Sequence, residues 1–383
     1  MPARPDALAR CVGDVEAFLG TRWGRQPHHH RCPEGYADLL SLDDVDRLVT
    51  ASGLRAPAFR LVRDGEPLPV GSYTRRARIG SRPVSDLADP GQVFGHFAEG
   101  ATIVLQGLQR SWPPLAAFCR DLERVLTHPV QANAYVTPPV AAGLRIHADA
   151  HDVFALQTVG RKQWVTYTDA DAAELDVSLE AGECLYVPQG VRHAARTTDR
   201  PSVHVTIGVR MVTWEQVLRG AVDAAIAEAL DDTGHGSLPP GFAHDPAALV
   251  GDLADRLGAV AKRVEALDVA EAARAATDGF WSSRPASLTG QLHQVLALDA
   301  VDDATVVTRR AGSWCRVEER GDGVALVLAD RTVRLPGRVA PAVAWVAAQD
   351  RFAVGDLGGH LDEEGRRVLV TRLVREALLM IES

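Results

Sequence analysis

The 383-residue chain has 46% hydrophobic and 24% charged residues, which is the balance of a soluble globular protein and excludes a disordered or fibrous one. Its length predicts two or three domains, and no apolar run is long enough for a membrane span or a signal peptide. A formal net charge of −9 argues against general nucleic-acid binding. Five scattered cysteines without a C-x-x-C pair argue against a zinc finger or disulfide scaffold and fit reduced thiols, so we expect a cytoplasmic protein.

The first 130 residues are expected to mix helices with short strands. Helices are predicted for VEAFLGTRW, for SLDDVDRLVTASG with its serine N-cap, and for WPPLAAFCRDLERVL with its 3.6-residue apolar period. Short β-elements are expected from Phe59 to Thr102, and IVLQGL reads as a buried strand. His28, His29 and His30 follow one another and so share no face, which favours a solvated loop over a metal site.

The next eighty residues have the rhythm of an antiparallel barrel or sandwich, because short strands alternate with PP, GR, AGE, PQG and TDRP breaks up to about residue 212. A long Ala-rich helix follows and opens with Thr213 and Gln216 in capping-box positions. A second helical stretch is expected from Ala247 to about Asp278, and SSRPAS is expected to be a linker.

The last hundred residues suggest a winged-helix-like unit. Two strands are expected around Gly321-Asp322-Gly323, and APAVAWVAAQD and DEEGRRVLVTRLVREALLMI read as amphipathic helices. Between Ser283 and Ser383 there are 13 arginines, no lysines and 14 acidic residues, which gives a net charge of about −1. We therefore expect a structural or protein-contacting role for this region and not DNA binding.

A candidate metal site lies in the β-rich region. His147 and Asp149 in R-I-H-A-D project to the same side if this stretch is a strand. His193 follows the turn Val187-Pro188-Gln189-Gly190 and lies 46 residues after His147. Two histidines and one carboxylate form the facial triad of non-haem Fe(II) oxygenases, so we expect these three residues to hold iron. His151 is a rival ligand, which we assign to the rim of the site.

The neighbouring strands carry polar residues on what should be their inner faces. Strand parity places Asn133, Tyr135 and Thr137 together, Lys162 with Trp164, and His204 with Thr206. Buried polar groups of this kind need partners, and a bound dicarboxylate would supply them. Only two of the 41 basic residues are lysines, Lys162 and Lys262, so a lysine here suggests a position that suits a compact ammonium. For Trp164 an ordinary core role remains equally open.

These motifs closely resemble the JmjC-type ribosomal oxygenases, a cupin-fold branch of the Fe(II)/2-oxoglutarate oxygenases. The resemblance rests on Asn133-Ala-Tyr135-x-Thr137-Pro-Pro, His147-x-Asp149, Asp152-Val-Phe, Gln157-x-x-Gly160-Arg-Lys162-x-Trp164 and Leu185-Tyr-Val-Pro188-x-Gly190-x-x-His193. It implies an α+β chain with a double-stranded β-helix (cupin/JmjC) domain at 1–212, a helical dimerisation region at 213–282 and a winged-helix-like domain at 283–383.

The resemblance also implies the chemistry of the site. Fe(II) would be bound by His147, Asp149 and His193, and Lys162 would receive the distal carboxylate of the cosubstrate 2-oxoglutarate. Asn133, Tyr135 and His204 would line the same pocket, and O2 would complete the reaction. The segment VAAGLRI departs from the family's glycine-bearing lead-in near the substrate entrance, which leaves the substrate open.

The expected function is hydroxylation of a side chain in a protein or peptide, with a ribosomal-protein-like substrate favoured. The acidic chain favours a basic polypeptide partner, and no nucleic-acid or membrane partner is expected. The Ala/Leu-striped helices predict a homodimer. The alternatives are a peptide natural-product tailoring hydroxylase, a non-oxidative metal cupin such as an isomerase, and a non-enzymatic winged-helix regulator whose cupin domain senses a ligand.

Overall fold

The structure is a computed structural model that describes residues 6–139, 146–168, 172–197, 199–233, 236–284 and 286–382. The chain divides into two compact units, Met1–Met211 and Val212–Ser383. The domain boundary that the sequence places at 212/213 stays a prediction. The further boundary expected at 282/283 falls inside the second unit and stays a prediction. Within the described ranges, no helix is both long and apolar enough to cross a membrane.

Twelve strands are described in the first unit. They are β1 (His28–Arg31), β2 (Phe59–Arg63), β3 (Glu66–Pro67), β4 (Thr74–Ile79), β5 (Arg82–Ala88), β6 (Thr102–Leu105), β7 (Val130–Thr137), β8 (Asp152–Tyr167), β9 (Ala173–Glu180), β10 (Glu183–Val187), β11 (Arg192–Arg196) and β12 (Ser202–Val209). Ten of them form one sheet in the order β1-β10-β8-β12-β7-β6-β2-β3, with β9 and β11 also paired to β8. β4 and β5 form a separate hairpin. The expected series of short antiparallel strands is confirmed.

The long strand β8 pairs with two different sets of strands along its length. Its first half pairs with β10 and β12, whereas its second half pairs with β9 and β11. The change falls at Gly160, where φ is +67° and a Cβ would come within 1.9 Å of the Pro201 carbonyl oxygen. Glycine is required there because any side chain would collide with backbone. One strand therefore carries polar residues into the interior of a two-layered, cupin-type core.

Five helices are described in the first unit, and the serine N-cap predicted for one of them is present. They are α1 (Ala7–Val12), α2 (Val15–Thr21), α3 (Leu42–Ala51), α4 (Pro90–Ala98) and α5 (Pro113–Leu126). Ser41 and Asp44 form a reciprocal capping box at the start of α3. The apolar stripe of α5 packs against β7, with Leu115 and Leu122 fully buried. The three helices predicted for this unit are confirmed as α2, α3 and α5, whereas α1 and α4 were not anticipated.

The expectation of a solvated loop for the three histidines is wrong, because these residues begin strand β1. His28 pairs with Tyr186 and His30 with Cys184 of β10. The His28 ring lies 5.5 Å from the Phe18 ring, and its Nε2 lies 3.1 Å from the Val12 carbonyl oxygen. The partner strand lies far along the chain, so the local sequence contains no signal for this pairing.

The second unit contains six helices and six strands among its described residues. The elements are α6 (Trp214–Thr233), α7 (Val250–Glu265), α8 (Val269–Ser282), α9 (Gln291–Leu296), β13 (Val306–Arg309), β14 (Cys315–Arg320), β15 (Gly323–Leu328), β16 (Thr332–Pro336), α10 (Ala340–Ala347), β17 (Arg351–Ala353), α11 (Glu363–Arg375) and β18 (Leu379–Ile381). The strands form two three-stranded sheets, β17-β13-β18 and β14-β15-β16. The winged-helix-like character of this region stays a prediction.

Local signals were mostly reliable in this unit, with two corrections. The capping box of α6 is present, since Thr213 N donates to Gln216 Oε1 at 3.2 Å and Gln216 N donates to Thr213 Oγ1 at 3.3 Å. The hairpin around Gly321-Asp322-Gly323 is confirmed as β14 and β15. The helical stretch expected from Ala247 to about Asp278 consists of two helices, α7 and α8, because Asp268 caps a new helix start. The last predicted helix ends at Arg375, and β18 follows it.

Candidate metal centre and its pocket

Two histidines and one aspartate converge between the segment that precedes β8 and strand β11. One ligand atom from each of His147, Asp149 and His193 lies within 4.8 Å of the others. His193 Nε2 is 3.5 Å from Asp149 Oδ2, and His147 Nε2 is 3.9 Å from Asp149 Oδ1. The cluster has the donor set of a facial triad for a divalent transition metal. The three residues that the sequence singled out are therefore brought together.

The backbone reason for this convergence differs from the sequence argument. Residues 146–151 do not form a regular strand, so alternation along a strand does not place His147 beside Asp149. Instead, His147 and His193 form an isolated antiparallel bridge, in which His147 N donates to His193 O at 3.1 Å and His193 N to His147 O at 2.8 Å. Gly190 N also donates to Asp149 O at 3.0 Å, which fixes the aspartate beside the turn before β11.

His193 is held in the form that a metal requires. Its Nδ1 lies 3.0 Å from the Val191 carbonyl oxygen, which can only accept, so Nδ1 carries the proton and Nε2 keeps its lone pair. Burial lowers the pKa of His193, which favours the neutral imidazole near neutral pH. Both effects prepare Nε2 as a ligand atom.

A buried aspartate that the sequence argument gave no role stabilises the turn beneath the cluster. Asp152 is 1% exposed and accepts hydrogen bonds from the Tyr186 hydroxyl and, at 2.8 Å, from Gln189 N. The Tyr186 oxygen in turn accepts from Gly24 N at 2.8 Å. Asp152 therefore connects the start of β8 to the turn that carries His193. The only signal in the sequence was its place in the Asp152-Val-Phe motif.

The cluster lies in a pocket whose walls come mainly from β7, β8 and β12. Asn133, Tyr135, Lys162, Trp164, His204 and Thr206 line it, as the parity argument predicted. The other lining residues, apart from the cluster itself, are Gln131, His151, Val153, Ala195 and Gly208. The structure thus collects almost all of the predicted pocket residues around one cavity.

Lys162 is the main electrostatic feature of this pocket. The residue is 4% exposed, and among the described residues its Nζ donates one hydrogen bond, to Thr137 Oγ1 at 3.3 Å. Burial lowers the pKa of Lys162 to about 7. A buried ammonium without an acidic partner is costly unless an anion reaches it.

Aromatic rings pack beside this lysine and leave polar atoms unpaired. Tyr135 stacks on His204 with ring centroids 4.9 Å apart, and Trp164 meets His204 edge to face at 5.4 Å. In the described parts of the chain, Trp164 Nε1, His204 Nδ1 and Thr166 Oγ1 are buried without a hydrogen-bond partner. Burial, and secondarily Lys162, lower the pKa of His204, so its ring is neutral. Trp164 therefore belongs both to the core and to the pocket wall.

Two further residues have a defined orientation at the pocket. Asn133 Oδ1 accepts from Gly107 N at 3.0 Å, which leaves the amide NH2 group available to a ligand. His151 rests on Gly208, where a Cβ would come within 3.0 Å of the ring carbon Cε1. His151 lies outside the three-residue cluster, in agreement with its assignment to the rim. Most of the VAAGLRI segment, residues 140–145, lies outside the described residues.

The fold and the cluster together define a cupin-type protein with a candidate mononuclear metal site. Residues 108–217 match the family model described as the JmjC domain, which confirms the predicted resemblance. The chain is 27% identical over 241 residues to the bifunctional lysine-specific demethylase and histidyl-hydroxylase NO66 of Culex quinquefasciatus, over 57% of this chain. It is 30% identical over 221 residues to the Dictyostelium discoideum protein of that name, over 51% of this chain.

Two other matches come from a bird and a bacterium. The chain is 29% identical over 240 residues to ribosomal oxygenase 1 of Gallus gallus, over 57% of this chain. It shares its fold with YcfD, a ribosomal oxygenase from Escherichia coli solved with cobalt and 2-oxoglutarate, at a TM-score of 0.57 and 19% identity, over 97% of this chain and 98% of that one. The chain spans only 36% to 41% of the length of the three curated relatives named here.

Proposed function

We propose that the protein is an Fe(II)- and 2-oxoglutarate-dependent oxygenase that hydroxylates a side chain in a protein or peptide. The observation that carries this proposal is the pairing of the His147, Asp149 and His193 cluster with Lys162 in one pocket. The cluster offers a metal three ligands from one side, and the buried ammonium offers an anion one strong contact. A non-oxidative metal cupin would have no need of the second feature.

The cluster fits Fe(II) by its donor chemistry. Two neutral imidazoles and one carboxylate bind through N, N and O atoms and leave neighbouring coordination positions open. When bound, the ion would supply activation of O2, in which decarboxylation of 2-oxoglutarate to succinate and CO2 accompanies insertion of one oxygen atom into a substrate C–H bond. The protein's task is to hold His193 in the correct tautomer and Asp149 in the correct place, through Val191 and Gly190.

The other wall of the pocket fits the distal carboxylate of 2-oxoglutarate. Lys162 would donate to that carboxylate, and the Thr137 hydroxyl is near enough to share the contact, since it lies 3.3 Å from Lys162 Nζ. Asn133, Tyr135 and His204 would line the remainder of the cosubstrate. The unpaired buried atoms His204 Nδ1 and Trp164 Nε1 support a polar occupant, because such atoms are costly beside an apolar one.

A polypeptide substrate is favoured over a metabolite. The relatives are named as ribosomal oxygenases and histidyl-hydroxylases, and the net charge of −9 favours a basic partner such as a ribosomal protein segment. A peptide natural-product tailoring hydroxylase is the second candidate, and a winged-helix regulator that senses a ligand is the third. The pairing of a metal cluster with a buried ammonium favours an enzyme over the regulator.

We also propose that two copies associate through the helices of the second unit. On α6, Trp214 and Leu218 are 79% and 60% exposed and lie one turn apart. On α7, Leu253 and Leu257 are 53% and 59% exposed at the same spacing. Apolar stripes of this kind favour a self-complementary interface with two-fold symmetry. Light scattering at micromolar concentration should give the mass of a dimer, and a monomer there would contradict this part of the proposal.

Succinate release tests the enzymatic class, and intact mass tests the substrate. The purified chain should form succinate only when Fe(II), 2-oxoglutarate and O2 are all present. Ribosomal proteins from a strain that lacks this gene should lack a mass increase of one oxygen atom that the parent strain shows. Succinate formation without Fe(II) dependence would reject the oxygenase, whereas hydroxylation of a free metabolite that no peptide inhibits would reject the polypeptide substrate.

A further inference from the structure

A row of side chains leads from the metal pocket across the first unit's sheet to strand β2. Arg60 of β2 lies opposite Val104 of β6, and Val104 lies opposite Tyr135 of β7. Tyr135 in turn lies opposite His204 of β12. Residues directly opposite each other in an antiparallel sheet project to the same face. Arg60 is therefore on the face that carries the pocket residues, about 10 Å from Tyr135 at the usual strand spacing.

Four polar residues on this face extend the wall of the pocket, and we call them the polar strip: Arg60, Gln106, Asn133 and Tyr135. All four are half-buried. Asn133 and Tyr135 line the metal pocket, whereas Arg60 and Gln106 lie beyond it. The residues that alternate with them on the same strands are buried in the core on the opposite face: Phe59, Leu61, Leu105, Ala132, Ala134 and Val136.

The polar strip is rich in hydrogen-bond donors and poor in acceptors. Gln106 Oε1 accepts from Arg60 Nε at 3.0 Å, and Asn133 Oδ1 accepts from Gly107 N at 3.0 Å. Both amide NH2 groups are therefore left as donors. Among the described residues, Arg60 makes no hydrogen bond besides the one to Gln106, so its two terminal NH2 groups are available as well. A group with several acceptor atoms and a negative charge would match this arrangement.

Arg60 also differs from the other arginine of its strand. Arg63 lies three positions further along β2, projects to the opposite face and donates to Glu99 Oε2 at 2.8 Å. Arg60 has no acidic partner in the described parts of the chain, although it lies close to the metal pocket. Burial raises the pKa of Tyr135, while Arg60 lowers it and Asp149 raises it, so the Tyr135 side chain lies within electrostatic reach of both charges.

We propose that the polar strip binds a carboxylate side chain of the substrate polypeptide, near the residue that enters the metal pocket. This inference rests on the proposed function, because it assigns a specificity-determining residue to that reaction. Arg60 would hold the carboxylate with two N–H groups, and Gln106 keeps the guanidinium in place through Nε. The 10 Å between Arg60 and Tyr135 corresponds to about three residues of an extended peptide. The net charge of −9 steers the whole partner, whereas the polar strip selects the residue at one position.

The test is a selection from a library of random nine-residue peptides. The full chain is loaded anaerobically with Fe(II) and 2-oxoglutarate, so that bound peptides are not turned over. Arg60→Glu is compared with the parent, and Arg76→Glu is the control, because it makes the same change of charge at an exposed position of β4 outside the polar strip. One selected peptide and its counterpart with the acid replaced by the amide are then titrated by fluorescence anisotropy. Gln106→Leu, which keeps the charge of Arg60 but removes the group that orients it, is titrated with the same pair.

We expect the peptides selected by the parent to be enriched in Asp and Glu at one position, and those selected by Arg60→Glu to carry Lys or Arg there. The parent should bind the acidic peptide about fivefold more tightly than the amide counterpart, as for a partly exposed ion pair. Arg76→Glu should keep this preference, and Gln106→Leu should reduce it about twofold. No acid enrichment in the parent, or acid enrichment that persists in Arg60→Glu, would overturn the proposal.

Separate titrations of Fe(II) and 2-oxoglutarate distinguish this inference from the proposed function. The parent and Arg60→Glu should bind both equally well. A parent that binds neither would reject the proposed function, whereas a parent that binds both and shows no preference for acidic peptides would reject the carboxylate contact alone. Weaker binding of 2-oxoglutarate by Arg60→Glu would also overturn the inference, because the polar strip would then hold the cosubstrate and not the peptide.

Discussion

Two buried cations in the same unit have opposite surroundings. Arg10 is 7% exposed, and its guanidinium donates to Asp38 Oδ1 at 2.7 Å and to the Gly35 carbonyl oxygen at 2.7 Å. Lys162 is 4% exposed, and its Nζ has one neutral partner, Thr137, among the described side chains. The protein neutralises the first cation internally and leaves the second without an acidic partner. This difference supports the proposed role of Lys162 as the residue that holds a ligand carboxylate.

Other buried polar groups of this unit also differ in whether the protein supplies them with hydrogen-bond partners. Buried Glu123 accepts from Val130 N at 3.0 Å and pairs with Arg120, so this region of the core satisfies its own carboxylate. In the pocket that Lys162 lines, the described residues leave His204 Nδ1, Trp164 Nε1 and His151 Nδ1 without partners. Several unpaired buried atoms around one cavity are unusual in a native core, and they support the proposal of a polar occupant.

For the two buried cations, the larger expected effect on ligand binding is that of Lys162→Met, which removes the charge and keeps a side chain of similar length. We expect 2-oxoglutarate to bind about ten- to a hundredfold more weakly, because a charge-assisted hydrogen bond contributes about 1.5–3 kcal/mol. Fe(II) binding should be unchanged. Calorimetric titration measures both affinities, and Lys262→Met, at the other lysine of the chain, is the control. Equal 2-oxoglutarate affinity in the two variants would mean that another cation holds the carboxylate.

Removing the partner of the internally paired cation should reduce stability. Asp38→Asn leaves Arg10 buried without a counter-charge, so we expect the free energy of unfolding to fall by about 2 kcal/mol, less than for a fully buried pair because Asp38 is 28% exposed. Lys162→Met should leave this free energy equal or higher. Urea unfolding compares the two variants, with exposed Asp46→Asn as control. A loss for Lys162→Met as large as that for Asp38→Asn would remove the distinction between the two cations.

The smallest expected effect is on pH dependence. Burial lowers the pKa of Lys162 from 10.5 to about 7, so the free protein loses the ammonium above about pH 7. Binding of 2-oxoglutarate should then require uptake of a proton, and its apparent affinity should fall by up to about tenfold per pH unit above pH 7. Lys162→Met should lack this dependence. A parent affinity that stays constant between pH 7 and 9 would contradict the assignment.

The lowered pKa of Lys162 also makes the free energy of unfolding depend on pH. Between about pH 7 and 10.5 the unfolded state binds more protons at Lys162 than the folded state does. The destabilising contribution of the buried ammonium is therefore complete below about pH 7 and disappears as the pH rises towards 10.5. Any stability advantage of Lys162→Met over the parent should decrease across that range.

Much of this architecture was predictable because its signals are local. The caps at Ser41 and Thr213 and the turn at Gly321-Asp322-Gly323 depend on residues a few positions apart. The strand at His28 was missed because its partner Tyr186 lies far away in the sequence. The prediction of a helical stretch did not locate the break between α7 and α8, which falls where the Asp268 side chain accepts from the backbone N–H groups of Ala270 and Glu271.

The candidate site was predicted from residue types and spacing, and one part of the reasoning was wrong. His147, Asp149 and His193 do converge, but through a bridge and a turn and not by alternation along one strand. Parity was correct for Lys162 and Trp164, since these two lie on the regular strand β8. The role of Asp152 beneath the turn was missed, because a buried hydrogen bond between distant segments leaves no periodic pattern.

An anaerobic titration of Fe(II) followed by 2-oxoglutarate, in the parent and in His147→Ala, Asp149→Ala and His193→Ala, tests the central claim most directly. We expect the parent to bind one Fe(II) per chain and to bind 2-oxoglutarate tightly only afterwards. Each variant should bind Fe(II) more than about a hundredfold more weakly. Mutation of residues that only hydrogen-bond to the metal ligands already lowers metal affinity about ten- to a hundredfold, and loss of a ligand should cost more. Fe(II) affinity that is unchanged in all three variants would contradict the account, and so would tight 2-oxoglutarate binding without metal.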